Sequence, residues 1–134
     1  MAKRLTNDQF QTLSAFRYAL RKFIRASEET ALTVGITPQH HLALLALKGA
    51  PNREPLTIGA LAEQLQLKHH STVGLVNRLA AHGYAVREQG KDDRRQVFVK
   101  MTKEGNSVLD KMGEAHHYEL QFITPELMEM LAVE

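Results

Sequence analysis

Apolar residues in the first third of the chain recur at helical spacing. Between residues 7 and 32 they form one stripe, and basic residues lie largely between them. The stripe consists of Leu13, Phe16, Leu20, Phe23, Ile24 and Ala31. Thr6, with Gln9 three residues later, is typical of a capping box at the start of a helix. The pattern predicts one long helix over residues 7–32.

Three further helices are predicted before any strand. Thr37 followed by Pro38 marks the first of them, because threonine caps a helix and proline loses no hydrogen bond at its first position. Residues 57–65 suit a short amphipathic helix, residues 66–68 a tight connection, and residues 70–80 another helix. The core of this pair is predicted to contain Leu61, Leu65, Leu67, Val73, Val76 and Leu79.

A strand pattern follows the fourth helix. Residues 84–88 suit a strand, residues 89–94 a charged turn, and residues 97–101 a return strand that is apolar at alternate positions. Two strands alone are marginal in water, so this hairpin is expected to pack on the helices beside it.

The last part of the chain is predicted to be helical again. Thr102 can cap a helix running to about residue 122, and Thr124–Pro125 repeat the cap-and-proline signature at a short terminal helix. The order α-α-α-α-β-β-α-α describes a mainly α fold with a small β-hairpin wing, which is a winged helix-turn-helix.

The whole chain, residues 1–134, is predicted to form one domain. A winged core of about residues 37–102 lies between two helical flanks, about residues 7–33 and 103–134. Apolar positions in these flanks have no evident partner inside the small winged unit. Burial against a second copy is the simplest solution, so the flanks are expected to form a homodimer.

Composition narrows the class of protein. The 134 residues are 43% hydrophobic and 24% charged, which is ordinary for a globular domain. The absence of cysteine excludes disulfides, thiolate zinc sites and cysteine redox sensing. The first residues lack an apolar signal core, and no apolar run approaches the roughly 18 residues of a membrane helix. We therefore expect a cytoplasmic protein with no membrane partner.

Charge is unevenly distributed although the net charge is only +2. Residues 68–103 hold eight basic residues against three acids, a net charge of +5. Residues 104–134 hold one basic residue against seven acids, a net charge of −6. The basic charge coincides with the second helix of the pair and the hairpin, which favours a phosphate-binding surface. A helix-turn-helix offers one exposed helix on a rigid support, the shape that enters a DNA major groove.

Several segments resemble the MarR (multiple antibiotic resistance regulator) family of winged-helix transcription regulators. Asp93-Arg94-Arg95 running into residues 97–102 is similar to the family's D-x-R wing and V-x-V-x-L-T strand, with Met101 where leucine is usual. Further matching segments are residues 16–18, 37–40, 61–65, 76–84 and 103–105.

The resemblance implies a homodimer clasped by its terminal helices, with a recognition helix in the major groove and a wing over the minor groove. It also implies a repressor released by a small phenolic or other lipophilic ligand. The short last helix departs from the family pattern and implies a smaller clasp. Two copies of this DNA-binding unit on one duplex then predict a pseudo-palindromic site with half-sites about one helical turn apart.

Candidate DNA-binding residues lie on the recognition helix and the wing. On the helix, the predicted exposed face comprises Lys68, His69, His70, Ser71, Thr72, Leu75 and Arg78. Ser71 or Thr72 alternatively caps the helix. Gly74 favours either close approach of DNA or tight helix packing, and Asn77 is equally well explained as structural.

In the wing, Arg95 is the strongest candidate, because a narrow minor groove attracts arginine and the nearby Asp93 can orient it. Lys91 and Arg94 are expected to contact phosphate. The alternative is an ordinary solvated turn.

The family's effector region corresponds here to Arg17, Tyr18, Arg21, His40 and His41, which core packing or solvation explains equally well. No nucleophile elbow, phosphate-binding glycine loop or Cys/His dyad is present, so no enzymatic activity is expected.

No cofactor and no metal are predicted. The adjacent histidine pairs cannot readily bind one ion from a helix, since neighbouring residues point about 100° apart. Zinc-sensing relatives in the family use histidines of the second and fifth helices. Two alternatives to a ligand-released repressor therefore stay open: a zinc-responsive regulator, and a winged-helix module that binds protein and not DNA.

Overall fold

The computed structural model describes residues 3–131, which contain seven α-helices and a small antiparallel sheet. The elements are α1 (Asn7–Thr33), α2 (Pro38–Lys48), β1 (Leu56–Thr57), α3 (Ile58–Leu65), α4 (His69–Ala81), β2 (Ala85–Gln89), β3 (Val97–Met101), α5 (Lys103–Asp110), α6 (Gly113–Gln121) and α7 (Pro125–Leu131). A short 3₁₀ turn, Pro51–Arg53, precedes β1. Within residues 3–131, the helices are too short or too polar to span a lipid bilayer.

Helix α1 begins as predicted. The Thr6 hydroxyl accepts a hydrogen bond from the Gln9 amide at 3.2 Å, and the Gln9 side chain accepts one from the Thr6 amide at 2.9 Å. This reciprocal pair satisfies two amides that the first turn leaves free. Only the end of α1 enters the core, at Ala31, whereas Leu13 and Ile24 of the apolar stripe are each 46% exposed. Leu13, Leu20 and Ile24, half of the stripe, are therefore largely exposed within the described chain.

Helix α2 lies at the centre of the fold. Its start is capped as predicted, because the Thr37 hydroxyl accepts a hydrogen bond from the His40 amide at 3.1 Å. It packs against α1, α3, α4, α5 and β3. The most deeply buried side chains of this core include Leu44, Leu61, Leu75, Val76, Leu79 and Val99. Because five elements meet on α2, its packing holds the helix-turn-helix in place.

The sheet contains the predicted hairpin and one additional strand. Strands β2 and β3 pair antiparallel with Ala85 opposite Met101. Strand β1 pairs with the other edge of β3, so the order is β1-β3-β2. The sequence pattern missed β1, because two residues are too few to show a period of two.

The predicted long helix after Thr102 is wrong in one respect. It begins as expected, with the Thr102 hydroxyl accepting from the Gly105 amide at 3.1 Å, but it breaks after Asp110. Met112 leaves helical geometry (φ −99°, ψ 15°) and is buried in the core, and Gly113 follows it. Glycine lowers helix propensity by about 1 kcal/mol relative to alanine, which favours a break here.

The terminal helix α7 starts at the predicted position. The Thr124 hydroxyl accepts a hydrogen bond from the Leu127 amide at 3.1 Å. The ends of the predicted domain, residues 1–2 and 132–134, lie outside the described residues.

Candidate nucleic-acid interface

Helices α3 and α4 form the predicted helix-turn-helix. The Thr57 hydroxyl caps α3 by accepting from the Ala60 amide at 3.0 Å. Helix α3 ends at Gln66 in the left-handed region (φ 55°, ψ 44°), which allows the Leu67 amide to donate to the Ala62 carbonyl at 3.0 Å. Lys68 then precedes the first turn of α4. The connection is three residues long, as predicted, and fixes the two helices against each other.

The predicted outer face of α4 is wrong at two positions. Thr72 is 0% exposed and Leu75 is 1% exposed, so neither lies on the surface. The buried stripe of α4 is Thr72, Leu75, Val76 and Leu79, with Val73 only partly buried. Thr72 tolerates burial because its hydroxyl donates to the Lys68 carbonyl at 3.0 Å. Because of this hydrogen bond, Thr72 can lie in the core although it is polar. The pattern of polar and apolar residues did not predict its burial.

The remaining predicted positions of α4 are exposed. They are Lys68, His69, His70, Ser71 and Arg78. Neither Ser71 nor Thr72 caps the helix, because Lys68 occupies the N-cap position and makes no side-chain cap bond. Within the part of the chain that the structure describes, the first turn therefore leaves backbone amides without a side-chain cap, next to exposed polar groups.

A polar cleft of about 410 Å³ lies between α2 and α4. It is lined by Gln39, Leu67, His70, Ser71, Gly74 and Arg78. An added Cβ on Gly74 would lie 3.4 Å from Arg78 Nη1, which is an ordinary contact. Packing within the described chain therefore does not require glycine at this position. Sequence reasoning did not predict Gln39 at this surface, because only the fold brings α2 beside α4.

The turn of the wing is closed by hydrogen bonds. The Gly90 amide donates to the Gln96 carbonyl at 2.8 Å, and the Gln89 side chain donates to the Arg94 carbonyl at 2.8 Å. A Cβ on Gly90 would overlap with the Asp93 carbonyl oxygen, so only glycine fits there without rearrangement. The turn consequently holds one shape.

Asp93 and Arg95 meet at the tip of the wing, as the sequence predicted. One carboxylate oxygen accepts from the Arg95 amide at 3.0 Å and from its Nε at 3.2 Å, and the other accepts from Nη2 at 3.3 Å. These hydrogen bonds, those of the side chain first, lower the pKa of the Asp93 carboxyl. The Arg95 side chain is still 91% exposed. The carboxylate therefore orients a guanidinium whose outer edge is open, and Lys91 and Arg94 are exposed on the same turn.

A contact that sequence reasoning missed joins α4 to the wing. Arg87 Nη1 on β2 donates a hydrogen bond to Asn77 Oδ1 on α4 at 2.5 Å. Both residues are exposed. Ten residues separate them, so neither local motif nor periodicity links them.

The predicted effector residues do not form one cluster. Arg17, Tyr18 and Arg21 are exposed on α1, whereas His40 and His41 are buried on α2 at 5% and 1% exposure. Within residues 3–131, no hydrogen bond or ion pair joins the two groups. The separation follows from α1, which contacts the core only near its end.

An aromatic pocket of about 430 Å³ lies between α1 and α6. Phe122 forms its centre, with Tyr118 and Phe23 edge-on to it at ring distances of 5.0 and 6.3 Å. The remaining lining residues are Ala19, Lys22, Ala26 and Glu119. Such a mixture of aromatic and charged side chains suits a small planar ligand.

Two buried histidines of α2 face other histidines. His41 Nε2 lies 3.0 Å from His116 Nε2 of α6, with the rings stacked at 5.3 Å. Burial, and next the charge of His116, lower the pKa of His41 to about 4. His40 packs edge-on to His82 at 5.6 Å, and its buried Nε2 has no hydrogen-bond partner among residues 3–131. Burial, then His82 and Arg78, lower the pKa of His40.

The histidine pair does not complete a metal site by itself. Among residues 3–131, no group of three or more His, Asp or Glu side chains is arranged to hold a metal ion. Protein zinc sites use at least three protein ligands. His41 and His116 supply two ligands at most, one fewer than such a site needs.

We expect the free energy of unfolding to fall as the pH drops below about 6.5. A histidine with a lowered pKa stays neutral in the folded chain but binds a proton in the unfolded chain, so acid favours unfolding. For His41 the loss between pH 7.5 and pH 5 is at most about 2 kcal/mol. Urea titrations across this range measure it. His41→Gln serves as control and should give a flatter profile, whereas an unchanged slope in that variant would contradict the assignment.

Comparisons with known proteins agree with this geometry. The MarR family model matches residues 34–96. YkoM, an HTH-type transcriptional regulator of Bacillus subtilis, is 29% identical over 102 residues, which cover 76% of this chain and 62% of YkoM. The chain thus spans about three fifths of the length of that relative.

Two solved structures illustrate the shared fold. Sco3205, a MarR family regulator of Streptomyces coelicolor in complex with DNA, has a TM-score of 0.78 at 22% identity, over 97% of this chain and 85% of that one. BpsR of Bordetella bronchiseptica, whose DNA binding is regulated by 6-hydroxynicotinic acid, has a TM-score of 0.70 at 17% identity, over 99% of this chain and 100% of that one. Residues 34–96, which hold the helix-turn-helix and the turn of the wing, are thus similar to the MarR family, and the solved structures share the fold of the chain.

Proposed function

We propose that this protein is a sequence-specific, double-stranded DNA-binding transcription regulator that acts as a homodimer. The observation that carries the proposal is the wing tip, where Asp93 orients an Arg95 guanidinium that stays 91% exposed. A carboxylate whose two oxygens both accept hydrogen bonds from an exposed arginine fixes the direction of that side chain, which suits a binding group. The net charge of +5 over residues 68–103 supplies the attraction to phosphate.

Helix α4 is the element that enters the major groove. Its first turn presents His69, His70 and Ser71 to the outside, and Arg78 lies two turns further along. Ser71 and Arg78 can donate to base edges or phosphates, and the free amides of the first turn favour a phosphate. Thr72 and Leu75 instead hold the helix on the core, because both are buried.

The wing lies over the adjacent minor groove. Arg95 is placed to enter the groove, where the negative potential is strongest when the groove is narrow. Lys91 and Arg94, exposed on the turn, contact phosphates on either side.

The unpartnered helix faces support a homodimer. Large apolar side chains of the two flanks are exposed by 44–60%: Phe10, Leu13, Tyr18, Leu20, Ile24, Tyr118, Leu120, Phe122, Ile123 and Met128. A face of this kind on a water-soluble helix is typical of an interface between copies. Two copies related by a two-fold axis read a pseudo-palindromic operator with half-sites about one helical turn apart.

Binding of a small lipophilic or phenolic effector then releases the regulator from its operator, so the regulator acts as a repressor. The aromatic pocket between α1 and α6 supports this part, since it lies on the helices that join the copies. A ligand that binds one arrangement of the copies better than the other shifts the spacing of the two heads. The DNA binding of BpsR is likewise regulated by a small aromatic molecule, 6-hydroxynicotinic acid.

Fluorescence anisotropy on duplex DNA tests the proposal. We expect binding to a random duplex at low salt, and an affinity that falls steeply as salt rises, because basic side chains displace counterions. Selection from a random library should then return a two-fold symmetric site. Absence of any duplex binding at low salt would favour the alternative, a winged-helix module that binds protein.

A further inference from the structure

The contact between Asn77 and Arg87 lies where the recognition helix meets the wing. Among residues 3–131, no other side-chain hydrogen bond joins α4 to either strand of the hairpin. Arg87 Nη1 donates to Asn77 Oδ1 at 2.5 Å, a short distance for this pair of groups. The wing is thus tied to α4 by one polar contact at the surface.

The register of the hairpin turns Arg87 towards α4. Arg87 lies opposite Val99 and on the same face as Ala85, and both of these residues are buried against the helices. Lys100 lies opposite Val86, on the other face of the hairpin, and is exposed. The two cations therefore share one hairpin but point to opposite sides of it.

Asn77 orients Arg87 without neutralising it. The acceptor is a neutral amide oxygen, and within the described chain no carboxylate lies within 4 Å of the guanidinium. A guanidinium has five N–H donors, of which this contact uses one. The side chain is therefore held in one direction with its full charge and most of its donors available.

The position between two groove-binding elements identifies what Arg87 faces. One sugar-phosphate strand separates a major groove from the adjacent minor groove. If α4 occupies the first and the wing the second, that strand crosses the seam between α4 and β2. We propose that Arg87, oriented by Asn77, binds a phosphate of this intervening strand. Arg87 is a phosphate-binding residue, and Asn77 is a positioning residue that acts through it.

This inference rests on the proposed function, and four variants test it apart from that function. Arg87→Gln removes the charge but keeps a donor for Asn77. Arg87→Lys keeps the charge, and Asn77→Ala keeps the arginine but removes its anchor. Lys100→Gln is the matched control, since it removes one charge from the opposite face of the same hairpin. Circular dichroism verifies that each variant is folded.

The readout is the dependence of duplex affinity on salt concentration. Arg87→Gln should lower the slope of log affinity against log salt by about one and weaken binding about 10-fold on operator and random duplex alike. Lys100→Gln should change the slope by less than about a third of that. Arg87→Lys should retain the slope, and Asn77→Ala should retain it while weakening binding about 3- to 10-fold.

Several results would overturn the inference. An unchanged slope in Arg87→Gln would remove the phosphate contact, and equal losses in Arg87→Gln and Lys100→Gln would show a general charge effect. An Asn77→Ala variant that binds like the parent would contradict the positioning role. So would an Asn77→Ala variant that loses its preference for one base pair of the operator. Failure of the parent chain to bind any duplex would instead contradict the proposed function.

Discussion

Replacing Arg95 with alanine is expected to weaken duplex binding by about 10- to 100-fold, the largest effect of any single wing substitution. Both oxygens of Asp93 orient the guanidinium, while the Arg95 side chain remains 91% exposed. The side chain therefore loses little conformational entropy when it binds DNA. If Arg95 enters the minor groove, the salt slope should fall by less than one. If it binds phosphate, the slope should fall by about one.

Two neighbouring substitutions control this experiment. Asp93→Asn keeps the arginine and its charge but weakens its orientation, so it should lower affinity by less than Arg95→Ala. Arg94→Ala removes one exposed cation from the same turn and should cost only a phosphate contact. An Arg95→Ala variant that binds like the parent at every salt concentration would remove the wing from the mechanism.

Replacing Gly105 with alanine is expected to reduce the free energy of unfolding by about 2–4 kcal/mol. An added Cβ would overlap with the Tyr84 carbonyl oxygen and lie 2.8 Å from Met101 Cγ. The same carbonyl accepts a hydrogen bond from the Thr102 amide at 3.1 Å, so it cannot move freely. The clash therefore falls where the wing strands and α5 meet.

Gly59→Ala is the matched control for this effect. Its added Cβ would lie 3.9 Å from the nearest atom, Thr57 Oγ1, on the exposed side of α3. It should leave stability unchanged or raise it by up to about 1 kcal/mol through helix propensity. Urea unfolding of both variants provides the comparison. A Gly105→Ala chain within about 0.5 kcal/mol of the parent would show that the junction is not packed as described.

The helices were predictable where a local signal marks their start. Thr6, Thr37 and Thr102 each accept the hydrogen bond that a capping threonine accepts, and the helices begin after them. Such signals act over three residues and can therefore be identified from sequence. The break before Gly113 was not predictable in the same way, because it depends on where Met112 finds room in the core.

The candidate site was predictable only in part. The wing pair Asp93 and Arg95 is two residues apart, and the fold brings it together as expected. The prediction that Thr72 lies on the outer face of α4 was wrong. The Thr72 hydroxyl donates its hydrogen bond to the Lys68 carbonyl and not to water.

Contacts between distant segments were out of reach from the sequence. The pairs Asn77 with Arg87 and His41 with His116 join different elements, the second across 75 positions. No periodicity or capping signal encodes such a pair, since the packing of α2, α4 and α6 creates it. Functional residues that depend on the fold are found only once the fold is known.

The most direct measurement combines stoichiometry with the helical phase of the operator. On a selected duplex, we expect two chains per site by sedimentation equilibrium. Inserting five base pairs between the half-sites turns one of them to the opposite side of the duplex and should lower affinity at least about 100-fold, because only one head can then bind. A chain that binds as a monomer, or with equal affinity to both duplexes, would contradict the account.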